Sequence, residues 1–202
     1  RAFCNAVAAA TGVRVDVLTG KQEAMIAYLG AGDPTGKCTV IDSGGASTEI
    51  TSGSDGVITD SVSIKTGAVR LKSMGLNVEA TRAYIDGKLY EMPRLHKKIV
   101  IIGGTATALA SADLRLKQYD AQKVHGHTLT YEALNDLIAA FEQGHITEQF
   151  PAVTRARAEI ILYGALIYER IMAGFRIHSV TVSESDNCEG YLRYLDKKQT
   201  AV

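Results

Sequence analysis

Asp42 closes the apolar run Val40-Ile41 and stands directly before Ser43-Gly44-Gly45-Ala46, after which Ser47-Thr48-Glu49 opens a second alternating stretch. The period of two in a strand turns Ser47 and Glu49 to one face. A turn closing after four residues sets Asp42 opposite Ser47 and diagonal to Glu49, about 7–8 Å away at the backbone, so two hard oxygen ligands converge. Mg²⁺ is usually held by one or two carboxylates plus waters and substrate phosphate. Gly44 and Gly45 let backbone N–H groups approach phosphate oxygens without steric cost. A tight hairpin with a solvated face would use the same residues, so on its own the segment divides evenly between hairpin and metal–anion site.

A second segment breaks the tie. Ile101-Ile102-Gly103-Gly104-Thr105-Ala106-Thr107 reads as a buried strand, a glycine turn and a helix start. That junction aims free N–H groups and the positive end of a helix at an anion. Glu23 follows Thr19 and Gln22 in a capping-box spacing, where a carboxylate in the first helical turn is favourable whatever else it does. His125 and His127 have no third ligand of matching type nearby and read as a polar loop. Cys4, Cys38 and Cys188 are scattered and odd in number, as expected of reduced packing residues.

The elements that must position these residues follow from periodicity. A helix spans 2–10, and Val13, Val15 and Val17 alternate with polar residues as in a strand. Thr19 starts a helix that carries Met25, Ile26 and Leu29 on its apolar side. Strands are expected over 38–42, 47–52 and 57–64 as an antiparallel meander. Helices at 68–74 and 79–90 precede a fully apolar strand at 99–102 and a helix reaching about 117. Thr130 caps a helix to about 141, a long apolar helix covers 154–173, a last strand covers 177–182, and a closing helix lies near 189–195. Three meandering strands followed by strand–helix alternation give an α/β fold, a mixed sheet flanked by helices in the ribonuclease-H-like order of actin-like ATPase lobes.

Composition narrows the function classes. The 202 residues are 46% hydrophobic and 22% charged, with 22 basic and 22 acidic side chains. No global field therefore recruits nucleic acid or an anionic membrane, and any phosphate affinity must be local. No apolar run reaches the ~18–20 residues needed to cross a bilayer, and the start lacks signal-peptide architecture, so the expected location is cytoplasmic. The chain opens on Arg1 within an amphipathic stretch, as a polypeptide already under way would. The apolar face of the 154–173 helix reads as core or as a homodimer interface.

Both glycine loops occur in the order and spacing of the exopolyphosphatase / guanosine pentaphosphate phosphatase (Ppx/GppA) family, and the chain resembles that family's second domain. Thr19-Gly20-Lys21-Gln22-Glu23-Ala24 is similar to its Ser-Gly-x-Glu-Glu-Ala motif, and Asp42 to Glu49 to its Asp-Ile-Gly-Gly-Gly-Ser-Thr-Glu. Gly67-Ala68-Val69-Arg70-Leu71 and Gly103 to Leu109 match Gly-Ala-Val-Arg-Leu and Gly-Gly-Thr-Ala-Thr-x-Leu. Val124-His125-Gly126, the run from Arg157 to Ile161, Val182-Ser183 and Glu189-Gly190 add weaker matches. Departures are Ser43 and Ala46 in the first loop, Gln22 for the first Glu of the helix-start motif, and Asp186-Asn187-Cys188, where the family has Gly-Leu-Arg.

The resemblance implies a Mg²⁺-dependent phosphoanhydride hydrolase acting on polyphosphate or guanosine pentaphosphate. It makes Glu23 the base for the attacking water, and Asp42 and Glu49 the Mg²⁺ ligands. Gly44, Gly45, Ala46, Ser47 and Thr48 line one phosphate wall, and Gly103, Gly104 and Thr105 the other. It also implies that residues 1–36 lead from a first domain outside this sequence and carry the Glu23 helix, that 37–202 are the ribonuclease-H-like second domain, and that this lobe alone turns over weakly. A nucleotide-binding actin-like module and a non-catalytic alarmone or polyphosphate sensor are the alternatives.

Overall fold

The computed structural model describes residues 2–31 and 36–200. Helix α1 (Ala2–Thr11) ends at Gly12, whose φ of +71° only glycine adopts freely. Residues 13–17 form no strand. Their alternation has no neighbouring strand to pair with, and a pattern without a ladder leaves the backbone solvated. Helix α2 (Gly20–Ala31) follows the expected capping box: the Thr19 N–H donates to Gln22 Oε1 at 2.9 Å and the Gln22 N–H to Thr19 Oγ1 at 3.3 Å.

Strands β1 (Lys37–Ser43), β2 (Thr48–Ser54) and β3 (Val57–Ile64) form the meander. Helices α3 (Ala68–Ser73) and α4 (Val78–Asp86) come next, and a 3₁₀ turn over Leu89–Glu91 takes up the rest of the helix expected to Tyr90, because Gly87 terminates α4. Strand β4 (Lys98–Ile102) runs straight into α5 (Gly103–Asp113), shorter than expected. The chain then turns at Arg115, which has a positive φ.

Short α6 (Ala121–Val124) and strand β5 (Thr128–Thr130) precede α7 (Tyr131–Glu142), capped by Thr130 Oγ1 accepting from the Ala133 N–H. Three residues are too few to display a period, so β5 was not legible. After α8 (Ile146–Gln149), the long helix expected from 154 is broken near Glu159–Ile160 into α9 (Arg155–Ala158) and α10 (Ile161–Phe175). Strand β6 (Ser179–Val182) and α11 (Asn187–Thr200) complete the chain.

The sheet order is β3-β2-β1-β4-β6-β5, with β1, β4 and β6 parallel and β2 and β5 antiparallel to their neighbours. This is the ribonuclease-H-like arrangement of actin-like lobes, a mixed sheet flanked by helices. Parallel central strands are covered on both faces, which is why β1 and β4 read as continuous apolar runs. Ile41, Ile99 and Ile101 face the large core under α5, α7 and α10. Cys38, Val40, Val100 and Ile102 face Ala27 and Tyr28 of α2.

Helix α10 is buried along most of its length, so its apolar residues are core. Helix α2 crosses α11 with backbone nearly touching backbone. A Cβ on Gly190 would come 2.7 Å from the Ile26 carbonyl carbon, and one on Gly30 would come 2.9 Å from that of Asp186. Glycine at both positions lets these helices meet, and the meeting carries Glu23 to the carboxyl ends of β1 and β4.

Candidate active site

Ligand sites in open α/β sheets lie beyond the carboxyl ends of the parallel strands. Here β1 ends at Ser43, β4 at Ile102 and β6 at Val182, and the loops that follow converge. Asp42 lies at that edge. The register pairs Asp42 with Glu49 and Ser43 with Thr48, so Glu49 is directly opposite Asp42 rather than diagonal, and Ser47 belongs to the turn. Directly opposed residues bring Cβ atoms to ~5 Å, a closer carboxylate pair than expected.

Burial, then the Glu49 carboxylate, then Asp186 and Glu23 push the Asp42 carboxyl from its ordinary 3.8 up to about 6. Four carboxylates therefore share one field, and a cation among them would relieve it. Glu49 is oriented by the Ser63 hydroxyl, which donates to its Oε1 at 2.7 Å. Glu49 and Ser63 line a groove of about 610 Å³ that also reaches Glu23 and Lys21.

The loop from Gly44 to Ser47 divides its labour. The Gly44 N–H donates to the Ser47 carbonyl at 3.0 Å, closing the turn, so Gly44 shapes the loop rather than offering its own amide. No described backbone carbonyl accepts from the Gly45, Ala46 or Ser47 amides. Successive amides without a backbone partner are the kind of group that can cradle an anion. Neither Gly44, Gly45 nor Ala46 has a positive φ, so alanine fits at 46 without strain.

Thr48 is buried, its hydroxyl donating to the Thr66 carbonyl, and thus fastens the loop instead of facing the cleft. Gly67 lies against the loop so closely that a Cβ would sit 2.5 Å from the Ala46 nitrogen. The start of α3 then clamps the loop: the Ala68 and Arg70 N–H groups donate to the Gly44 and Gly45 carbonyls, and Arg70 Nε to the Ala46 carbonyl at 2.8 Å.

The facing wall is the N-terminus of α5. Ile102 provides no side-chain cap, leaving the first amides of the helix unclaimed by one. Gly103 has φ +85°, and a Cβ there would lie 2.7 Å from Asp42 Oδ1, so only glycine admits the aspartate. A Cβ on Gly104 would lie 2.7 Å from Arg157 Cζ. Thr105, by contrast, is buried with its side chain against Gly164, which leaves only its backbone for the cleft.

A guanidinium held against the positive end of a helix is unfavourable unless an anion lies between or beside them. Arg157 and the α5 amides thus concentrate positive potential beside Asp42. Tyr168 braces the floor, its hydroxyl donating to the Ile102 carbonyl at 3.3 Å while burial and Asp42 hold the phenol well above its usual range.

Sequence reasoning missed Asp186 as a neighbour of Asp42, and gave Arg157 only a place in a weak motif. The loop after β6 could have been flagged by the rule that parallel strands present their carboxyl ends together. Nothing local marks Arg157, which arrives from α9.

Among the described residues, no group of three or more His, Cys, Asp or Glu is arranged to hold a metal. Asp42 and Glu49 nonetheless fit Mg²⁺, which takes one or two carboxylates and completes its shell with water and phosphate. The His pair stays outside this: His127 Nε2 lies 2.7 Å from Asp113 Oδ2, and His125 Nδ1 accepts from the Glu184 N–H.

A family model described as the Ppx/GppA phosphatase family matches residues 1–198. The chain is 29% identical over 209 residues to exopolyphosphatase 2 of Mycobacterium tuberculosis, an alignment covering 91% of this chain and 64% of that protein. It is 24% identical over 207 residues to the bifunctional 3-dehydroquinate synthase/phosphatase of Fusobacterium nucleatum, covering 89% of this chain and 30% of that one. A crystal structure of the Aquifex aeolicus Ppx/GppA family member superposes with a TM-score of 0.89 at 29% identity, covering 98% of this chain and 69% of that chain. The chain thus spans less than two thirds of the two curated relatives.

Proposed function

The chain belongs to the Ppx/GppA phosphatase family, and from that premise we propose that it forms one lobe of a phosphoanhydride hydrolase that removes the terminal phosphate of inorganic polyphosphate, with guanosine pentaphosphate as a further substrate. The observation that carries this reading is the facing of two amide sets, Gly45 to Ser47 and the uncapped start of α5, across the Asp42–Glu49 pair. The relative from Mycobacterium tuberculosis, an exopolyphosphatase by name, supports the substrate class.

In this mechanism the amides of Gly45, Ala46 and Ser47 hold the oxygens of one phosphate, and the α5 amides with Arg157 hold its neighbour. Glu23 orients a water and takes its proton as the oxygen attacks the terminal phosphorus. The bond from phosphorus to the bridging oxygen breaks, and the shortened chain departs as a phosphate anion. The role demands placement beside the water and alignment with the phosphorus. Asp42 and Glu49 would hold Mg²⁺, which supplies charge neutralisation for the transferred and leaving phosphates.

The cleft needs a second wall. A first domain of the same polypeptide is proposed to supply it, seated near Val13, Val17 and Leu192, which are large, apolar and exposed. The shorter span of this chain against its relatives supports that proposal. On that reading the lobe alone binds phosphate but turns over weakly.

Calorimetric titration of tripolyphosphate into the chain, with and without Mg²⁺, tests the binding half. Mg²⁺-enhanced binding that is lost in Asp42→Asn supports the reading; binding indifferent to Mg²⁺ and to Asp42 contradicts it.

A further inference from the structure

At the other end of the sheet, where the chain enters β4 and β6, a cavity of about 500 Å³ is lined by Arg94, Lys97 and Arg176 together with His96 and His178. No described carboxylate lines it. The ion pairs among the described residues involve none of its three cations. In a chain with 22 basic and 22 acidic side chains, that is a local concentration of one sign, and like charges gathered without a counter-charge repel.

The backbone of the lining segment is held in place. Thr39 and Ser52 are buried, their hydroxyls 2.8 Å apart; the His96 N–H donates to Thr39 Oγ1 at 2.8 Å and Ser52 Oγ donates to the Arg94 carbonyl at 3.1 Å. On the other wall Arg176 caps α10 in the left-handed conformation, φ 55° and ψ 44°, where glycine is the usual residue. His96 Nε2 is buried with no hydrogen-bond partner, a group that is costly to leave unpaired.

We propose that this cavity is a second phosphate-binding site, taking orthophosphate or the end of a condensed phosphate through Arg94, Lys97 and Arg176. A compact, multiply charged oxyanion matches three cations lining one cavity better than a singly charged ligand does. The cavity lies about 13 Å along β4 from the Gly103 loop, so its occupancy does not depend on the catalytic reading.

The test is an amide NMR titration of the chain with orthophosphate and, separately, tripolyphosphate, against sodium chloride of equal ionic strength. Saturable shifts at residues 94–97 and 175–179 are expected, weakened at least tenfold in Arg94→Ala/Arg176→Gly. Because glycine suits the position of Arg176, the variant keeps its Tm, and the amides of the Gly44–Ser47 loop respond as in the wild type. Tighter binding of tripolyphosphate identifies a condensed phosphate as ligand, and equal binding identifies orthophosphate. Shifts reproduced by chloride, or unchanged in the folded variant, overturn the proposal, whatever happens at the catalytic loops.

Discussion

Glu23, Asp42 and Gly103 each carry a separable consequence. Replacing Glu23 by Gln keeps the shape of the side chain but removes its basicity, so turnover is expected to fall ~10²–10⁴-fold with phosphate binding retained. Asp42 acts on stability as well. Its folded carboxyl titrates near 6 against 3.8 unfolded, so the folded state holds the proton more tightly and stability is lost as pH rises from about 4 to about 6. Without a bound cation this amounts to something on the order of 3 kcal/mol at pH 7.

Asp42→Asn should therefore be more stable than the wild type in denaturant titrations at pH 7, and close to it at pH 4. An equal gap at both pH values would mean that Asp42 is not crowded by its neighbours. Asp42, Glu49 and the glycines were legible because strand ends and glycine turns carry a local pattern. Asp186 was not, because its approach to Asp42 depends on β6 lying beside β4.

Between elements, the α2–α11 crossing is the joint on which the placement of Glu23 depends. Gly190→Ala forces a methyl against the backbone of Ile26, so α11 must lift from α2. Tm is expected to drop, and activity to fall further than the loss of folded protein explains, because Glu23 rides on α2. Unchanged activity per folded molecule would detach the base from this joint.

Elsewhere, buried Glu169 gathers Arg82 Nε at 3.2 Å, Arg170 Nη1 at 3.1 Å and the Tyr131 hydroxyl at 3.3 Å, tying α10 to α4 and α7. Glu169→Ala takes one acceptor from each of those donors, with Arg170 keeping Asp86, and should cost about 1–3 kcal/mol by urea denaturation, with no selective loss of phosphate binding. Periodicity exposed the helices but not their joints. The Thr154 cap and the apolar run beyond it read as one helix, and the break near Ile160 that sets α9, with Arg157, at the start of α5 has no local marker.

At the scale of the whole molecule, the parallel strands β1, β4 and β6 gather three distant loops at one edge, and α2 brings a carboxylate to them. The meander and the apolar run of β4 made the α/β class readable, since strands covered on both faces must be continuously hydrophobic. What sequence could not supply was the turn register that sets Glu49 directly opposite Asp42, because a four-residue loop fits 43–46 and 44–47 alike. On the proposed mechanism this edge hydrolyses a phosphoanhydride with Glu23 as base. The most direct measurement is Mg²⁺-dependent phosphate release from polyphosphate and guanosine pentaphosphate by the natural full-length protein, wild type beside Glu23→Gln. Release that collapses in the variant while substrate binding persists is the predicted result; release that continues undiminished, or none from the wild type despite tight binding, would contradict it.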